Sequence, residues 1–220
     1  MLSIFEPANF ALFLLAAIAI AFAPGPGILY VLARTLSGGR TEGIASSFGT
    51  SVGGLVHIAA GAIGVSALVL ASAELFFVLK ILGAIYLIWL GIKTIRAARS
   101  LSVTALTTPS GSCHARRSRR QAFRDGIVVE ALNPKTAAFF LAFLPQFVDP
   151  SAGQVGMQFA LLGIMTVAMN TTADLIVSYA GGALRSGLVA RPQLLRRLGE
   201  VSGGTLCMLG ASLALVKRNA

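Results

Sequence analysis

Two short proline-containing segments interrupt apolar stretches of the chain, and both suit a helix that stops and restarts. They are Pro24-Gly25-Pro26-Gly27 and Asn133-Pro134-Lys135. Proline lacks a backbone donor and blocks the preceding helical turn, but it fits the first position of a new helix. Asn133 is also a favourable cap for a helix that begins at Pro134. Each restart should leave free N–H groups and a positive dipole end, which is the chemistry of an anion site.

Three residues in these segments point to a bound carboxylate. Gly25 and Gly27 would let a ligand approach the backbone closely, or they relieve crowding at the kink. Lys135 carries a cation at a helix N-terminus, where it opposes the dipole and needs compensation inside a membrane. A substrate carboxylate or Glu130 would compensate it, or the side chain would extend to the membrane interface. The predicted substrate-binding residues are Pro24, Gly25, Pro26, Gly27, Asn133, Pro134 and Lys135.

Two acidic residues, Glu130 and Asp174, fall within or close to apolar stretches. An ionisable acid inside a membrane is costly and is usually retained for function. We predict that one of the two exchanges a proton or contacts a substrate ammonium group, with structural pairing as the alternative.

Three further polar residues are candidates for lining a pore. Asn170 precedes Asp174 by one helical turn and shares its face. His57 lies among glycines, where proton transfer and structural hydrogen bonding both fit. Gln146 follows Pro145 and either lines an outer vestibule or forms a turn. The spacing of the two cysteines indicates neither a disulfide nor a zinc site, so no metal and no cofactor are expected.

The composition requires a lipid environment. Hydrophobic residues make up 55% of the 220 positions and charged residues only 12%, with a mean hydropathy of +0.80. Soluble domains carry about 25% charged residues. The 18 basic and 8 acidic residues give a net charge of +10, but the arginines cluster between apolar stretches without interleaved aromatics. This pattern favours cytoplasmic loops of a membrane protein and excludes a nucleic-acid partner.

Six apolar stretches are long enough to cross about 30 Å of hydrocarbon. They comprise residues 7–36, 43–70, 75–95, 126–148, 153–180 and 199–216. Two three-helix halves, 1–95 and 126–220, flank a basic loop at 96–125, and three spans per half give the halves opposite orientations. We predict an all-α polytopic membrane protein that forms a single transporter domain, a 3+3 inverted repeat with a proline-broken first helix in each half.

The positions of Lys and Arg predict the orientation. Basic residues follow the first, third and fifth stretches, whereas Glu74 and Asp149 occupy the loops between. The odd-numbered loops should therefore be cytoplasmic, with both termini outside. Lys217 and Arg218 oppose this assignment, so a five-span or inverted arrangement is the alternative.

Several short motifs follow one another along nearly the whole chain. They are Pro24-Gly25-Pro26, Leu82-Gly83-Ala84, Trp89-Leu90-Gly91, Asn133-Pro134-Lys135 and Leu144-Pro145-Gln146-Phe147. In this combination the chain resembles the LysE and RhtB family of amino-acid exporters. The resemblance implies a secondary transporter of the bacterial inner membrane, not an enzyme, that exchanges a small amino acid or a derivative for protons. It leaves the cargo open, homoserine-like, threonine-like or other.

Other functions make different demands on the sequence. A passive channel needs a continuous polar path, and the few polar residues per span favour an occluded site instead. An exporter for another small metabolite stays possible, as does a homo-oligomer. A membrane thiol relay needs paired cysteines at the breaks. An intramembrane hydrolase needs Ser51 and His57 on one helix face, from which their spacing departs by roughly 120°.

Overall fold

The computed structural model describes residues 7–71, 73–100, 118–190 and 192–215. Eight α-helices occupy this part of the chain: α1 Pro7–Phe22, α2 Pro26–Gly38, α3 Arg40–Ala71, α4 Ala73–Ser100, α5 Arg119–Ala131, α6 Pro134–Ala138, α7 Val155–Ala190 and α8 Pro192–Leu215. A π-helical turn, Phe139–Phe143, and two 3₁₀ turns, Leu144–Phe147 and Pro150–Ala152, follow α6. The described residues contain no strand, which confirms the all-α prediction for them. Most of the basic loop, including Cys113, lies outside the described residues, as do Lys217 and Arg218.

Both predicted helix breaks are present. The axes of α1 and α2 differ by 44°, and those of α5 and of the helical segment from Pro134 to Phe147 by 41°. Gly25 precedes α2 in an extended conformation, with Pro26 at the first helical position. Asn133 caps α6 by accepting a hydrogen bond from the Lys135 N–H at 3.0 Å. The chain therefore restarts a helix at both proline segments.

The helix before the second break begins earlier than predicted, at Arg119 instead of residue 126. Ser118 and Gln121 form a capping box, in which each side chain bonds the other residue's backbone N–H at 3.2 Å. This four-residue pattern starts helices independently of hydrophobicity. A span placed by apolar content alone therefore missed the polar first turns of α5.

Two helical segments are long and apolar enough to cross a membrane, Arg40–Gly64 and Val155–Gly181. The two bent helix pairs at the proline breaks each add one candidate span if a pair is counted as a single span. The described part of the chain therefore contains up to four candidate spans. Large apolar side chains also face outward, such as Leu15 at 66% and Ile63 at 75% exposure. Apolar surface on this scale suits lipid contact. The all-helical fold with these candidate spans is compatible with a polytopic membrane protein, and α4 and α8 are not among the candidates.

Helix α3 lies at the centre and packs against α2, α5 and α7, while α4 packs against α8. Glycines permit the closest of these contacts. A Cβ atom at Gly49 of α3 would overlap the carbonyl of Phe123, and one at Gly126 of α5 would lie 2.8 Å from the Ser46 carbonyl oxygen. Small residues let helix backbones approach closely within a membrane. The α3–α5 contact therefore depends on the absence of side chains.

The turns after α6 are fixed by aromatic packing. Phe139, Phe140 and Phe143 of the π-helical turn are buried in the core. The Phe140 ring lies 6.0 Å from that of Phe159 in α7, in an edge-on arrangement. These contacts hold the restart of the second half against α7.

We expect Gly49→Ala to lower the melting temperature in detergent by several degrees, because overpacking a close contact costs about 1–3 kcal/mol. Gly64→Ala is the matched control in the same helix, since no described atom lies within 4 Å of its added Cβ. The control should be neutral or stabilising, since alanine favours helix by up to about 1 kcal/mol. Equal melting temperatures for the two variants would contradict the packing described here.

Candidate functional site

A cavity lies where the two helix breaks meet α3 and α7. Its lining consists of Ala21, Gly27, Ile28, Thr50, Ser51, Gly54, Glu130, Asn133, Lys135, Val167, Asn170, Thr171 and Asp174. Both breaks and two candidate membrane-spanning helices thus contribute to one space. The cavity has a volume of about 20 Å³, enough for about one water molecule. It is therefore too small for an amino acid in this conformation.

Half of the residues predicted from the sequence line this cavity. They are Gly27, Glu130, Asn133, Lys135, Asn170 and Asp174. Pro24, Gly25, Pro26 and Pro134 form the breaks beside it without lining it. His57 and Gln146 lie outside the lining. The structure therefore brings together residues from both halves of the sequence, more than 100 positions apart.

Lys135 connects the two breaks. Its Nζ donates hydrogen bonds to the carbonyl oxygens of Ile20 and Ala23, both at 2.9 Å. These carbonyls end α1, so the cation lies at the negative end of that helix dipole. The side chain crosses Gly25, where a Cβ would lie 3.0 Å from Cδ and Cε of Lys135. Backbone oxygens thus compensate the charge that opposes the α6 dipole.

Glu130 is held by hydrogen bonds from residues of the second break. Its Oε1 accepts a hydrogen bond from Thr136 Oγ1 at 2.6 Å, and its Oε2 accepts one from Asn133 Nδ2 at 2.8 Å. The carboxylate lies against Gly27 of α2, where any side chain would overlap Oε2. Glu130 and Lys135 form no direct ion pair, because the acid is engaged by Thr136 and Asn133 and the amine by the end of α1.

Asp174 and Asn170 face the cavity from α7 and differ in how they are satisfied. Thr50 Oγ1 donates a hydrogen bond to Asp174 Oδ2 at 2.7 Å, across the α3–α7 contact. The carboxylate is buried, with 6% of the residue exposed. Asn170 Oδ1 is buried as well, yet it has no hydrogen-bond partner in the described part of the chain. The wall therefore offers an acceptor that a ligand donor can use.

His57 supports the second break from outside the cavity. Its Nε2 lies 2.8 Å from the carbonyl oxygen of Glu130; because a carbonyl only accepts, this nitrogen carries the hydrogen. Pro134 follows Glu130 by four residues and has no N–H to close the usual helical bond. His57 and the N–H of Asn133, at 3.0 Å, provide donors in its place. Gln146 similarly bonds its own turn, donating to the Ala142 carbonyl at 3.0 Å.

The cavity combines groups for both ends of a zwitterion. The first turn of α2 leaves the N–H groups of Gly27 and Ile28 without helical acceptors, and Lys135 belongs to the same lining. Asn170 and Asp174 provide acceptors. The hydroxyls of Thr50 and Thr136, which donate hydrogen bonds to the two acids, were not predicted as site residues, because no motif or spacing in the sequence distinguishes them.

Comparison with known proteins places the whole site within one family. The sequence model described as LysE type translocator matches residues 18–217, which include every residue of the cavity. A membrane protein of Vibrio cholerae serotype O1, named as uncharacterized, is 34% identical over 208 residues, covering 93% of this chain and 96% of the relative.

Two further relatives carry functional names. A homoserine/homoserine lactone efflux protein of Salmonella typhimurium is 30% identical over 203 residues, 92% of this chain and 94% of the relative. A leucine efflux protein of the same species is 29% identical over 157 residues, 70% of each chain. No solved structure matches the chain. The family match over nearly the full length confirms the resemblance seen in the motifs: the chain belongs to the LysE type translocator family.

Proposed function

We propose that this protein is a secondary exporter of a small amino acid or amino-acid derivative in a bacterial inner membrane, driven by proton antiport. One observation carries the proposal: a single buried cavity holds one lysine, two carboxyl groups and an unpaired amide oxygen at the junction of two broken helices. Its relatives are named for the efflux of homoserine, homoserine lactone and leucine.

The amino group is the part of the cargo that the cavity recognises most directly. Homoserine, its lactone and leucine share an amino group beside a carbonyl carbon, whereas the lactone has no free carboxylate. Asn170 Oδ1 and Asp174 are the acceptors that an ammonium group would meet. A carboxylate, where the cargo has one, would bind the Gly27 and Ile28 N–H groups and Lys135. The α2 helix end favours negative charge at that position.

Asp174 is the proposed proton site. Both oxygens of Glu130 already accept hydrogen bonds, from Thr136 and Asn133, whereas Asp174 accepts one side-chain bond, from Thr50. An ammonium group beside Asp174 favours the ionised carboxylate and so competes with a proton for it. Cargo and a proton therefore cannot be bound at Asp174 at the same time. Antiport requires this mutual exclusion.

The proposed architecture is six spans in a 3+3 inverted repeat, with halves 1–95 and 126–220 forming a single multi-pass domain. The helices that such a repeat would relate are in contact: α3 packs on α7, and α4 on α8. Each half also begins with a broken helix, and the breaks meet through Lys135. Such an arrangement of discontinuous helices around a central site is shared by many secondary transporters.

A passive channel and an exporter of another metabolite are the alternatives. An open channel requires a continuous polar path, whereas the cavity here has a volume of about 20 Å³ and must widen to admit a cargo. The need to widen favours alternating access. Only a transport assay distinguishes an amino-acid cargo from another small metabolite.

The test is efflux from proteoliposomes loaded with labelled homoserine, threonine, leucine, lysine or homoserine lactone, with and without an imposed pH gradient. We expect the gradient to accelerate efflux of at least one of these amines. Movement that is independent of the gradient would contradict antiport and indicate a channel or uniporter. Retention of the whole panel by correctly inserted protein would contradict the amino-acid assignment.

Asp174→Asn should abolish the acceleration of efflux by the pH gradient, because an asparagine side chain neither binds nor releases a proton at the pH values of the assay. Asp125→Asn is the matched control, since Asp125 lies in α5 outside the cavity lining. It should keep the gradient dependence. Should Glu130→Gln, and not Asp174→Asn, remove that dependence, the proton site is Glu130 and the assignment made here is wrong.

Asn170→Ala should raise the KM for efflux roughly 10- to 100-fold, because a hydrogen bond to a charged group contributes about 1.5–3 kcal/mol. Gln146→Ala removes an amide of the same type outside the cavity and should leave KM unchanged. The ammonium contact assigned to Asn170 is wrong if the two variants give the same KM as the unmodified protein.

A further inference from the structure

A second set of buried polar groups runs from the cavity along the interface of α2, α3 and α7. It consists of four hydroxyl residues, called here the hydroxyl seam, and one ion pair at its far end. The seam residues are Thr35, Ser47, Thr50 and Ser178, exposed by 6%, 0%, 4% and 1%, and the pair is Arg34 with Glu42. Only Thr50 belongs to the cavity, so the proposed transport chemistry leaves the rest unexplained.

The seam follows helical turns on two facing helices. On α3 it steps from Thr50 to Ser47 and then to Gly43; on α7 it steps from Asp174 to Ser178 and then to Gly181. Positions three and four apart share one helix face. The first layer is joined by the Thr50–Asp174 bond at 2.7 Å, and the second by Ser47 Oγ and Ser178 Oγ at 3.2 Å.

Thr35 of α2 closes the third layer. Its side chain fills the space beside Gly43 and Gly181, at each of which an added Cβ would overlap it. Its hydroxyl bonds back to the Val31 carbonyl at 2.7 Å, as Ser47 and Ser178 bond back within their own helices at 3.0 and 2.9 Å. The seam is thus held mainly by bonds within each helix, so α2 can separate from α3 and α7 without leaving these hydroxyls unpaired.

The ion pair lies where α2 turns into α3. Arg34 Nη2 donates to Glu42 Oε2, and both side chains are buried, with 4% and 5% exposed. Gly38 leaves the space that the Glu42 carboxylate occupies, and Gly39 makes the turn at φ +82°. Arg34 Nε has no hydrogen-bond partner in the described part of the chain. A buried pair that is incompletely satisfied adds little to stability and better suits a contact that opens.

A cation–aromatic contact on the protein surface covers the end of the seam at which the ion pair lies. The Arg40 guanidinium lies 3.6 Å from the ring centroid of Tyr179, which follows Ser178 on α7 and is 57% exposed. Such contacts add a modest attraction at exposed sites. Arg34 and Arg40 also put this end on the cytoplasmic side under the positive-inside rule.

We propose that the hydroxyl seam is the route between the cavity and the cytoplasm and that the Arg34–Glu42 pair is the gate that closes it. The inference rests on the proposed function, because a gate has a purpose only if cargo passes. Opening separates α2 from α3 and α7 and lets water reach Ser178.

The test measures the accessibility of the thiol in Ser178→Cys, in a background that also carries Cys113→Ala and Cys207→Ala. A membrane-impermeant thiol reagent is added to inside-out vesicles or to intact cells. Glu42→Gln should speed labelling from the cytoplasmic face at least about tenfold, because Arg34 is left unpaired and the open state gains population. Glu200→Gln, which breaks the exposed Arg99–Glu200 pair, is the matched control and should change nothing.

A folding reporter keeps the result interpretable. A cysteine at Ala17, which is 0% exposed in the core, should stay unlabelled in the Glu42→Gln background. If it is labelled, the variant is misfolded, and Arg34→Gln replaces it as the test of the same contact. The charge-reversed pair Arg34→Glu with Glu42→Arg should return labelling to the slow rate.

The gate assignment would be wrong if Glu42→Gln left the labelling rate of Ser178→Cys unchanged, or if it accelerated labelling equally from both faces of the membrane. Failure of the proposed function is separately visible, since labelling needs no transport. An accelerated, one-sided reaction in a protein that moves none of the tested amines would leave the gate standing and reject the cargo class.

Discussion

The burial of one ammonium group, that of Lys135, is the constraint on which the rest of the site depends. A buried cation needs oxygen partners, and Lys135 Nζ donates to the carbonyls of Ile20 and Ala23 at the end of α1. Helix α1 stops before Pro24 and Pro26, which leaves the Ala23 carbonyl beyond the helix end, while the Ile20 carbonyl also accepts the Ala23 N–H at 3.3 Å. The break in the first half of the chain thus provides the ligands for a lysine that the break in the second half positions.

The same physical reasoning explains why small residues surround the charges. Gly25 and Gly27 leave the space that Lys135 and Glu130 occupy. Each glycine of the first break therefore makes room for a charged side chain from the second half of the chain. Almost every buried polar group then finds a partner. Among the described residues, the buried side-chain nitrogens and oxygens without one are Asn170 Oδ1 and Arg34 Nε. One lies in the cavity and the other in the proposed gate.

Much of this site follows from local sequence rules, and the part that does not depends on contacts between distant segments. Proline and its cap predict the break at Asn133 because that preference is local. The same rules predicted free N–H groups at both restarts, but at the second one Asn133 itself accepts the Lys135 N–H bond. The partners of Lys135 lie 112 and 115 residues away, and no spacing rule reaches that far. Nothing in the sequence distinguishes Arg34 and Glu42 from ordinary surface charges, whereas the structure buries both side chains.

Helix α2 connects the cavity to the gate. It is 13 residues long, lies between the first break and the turn at Gly39, and carries Gly27 at one end and Arg34 near the other. The break lacks helical bonds, and the turn has a glycine at positive φ, so both ends can absorb a rotation. In the proposed mechanism, a tilt of α2 would widen the cavity around Gly27 and draw Arg34 from Glu42. The proposed binding and opening steps would then be coupled through this one short helix.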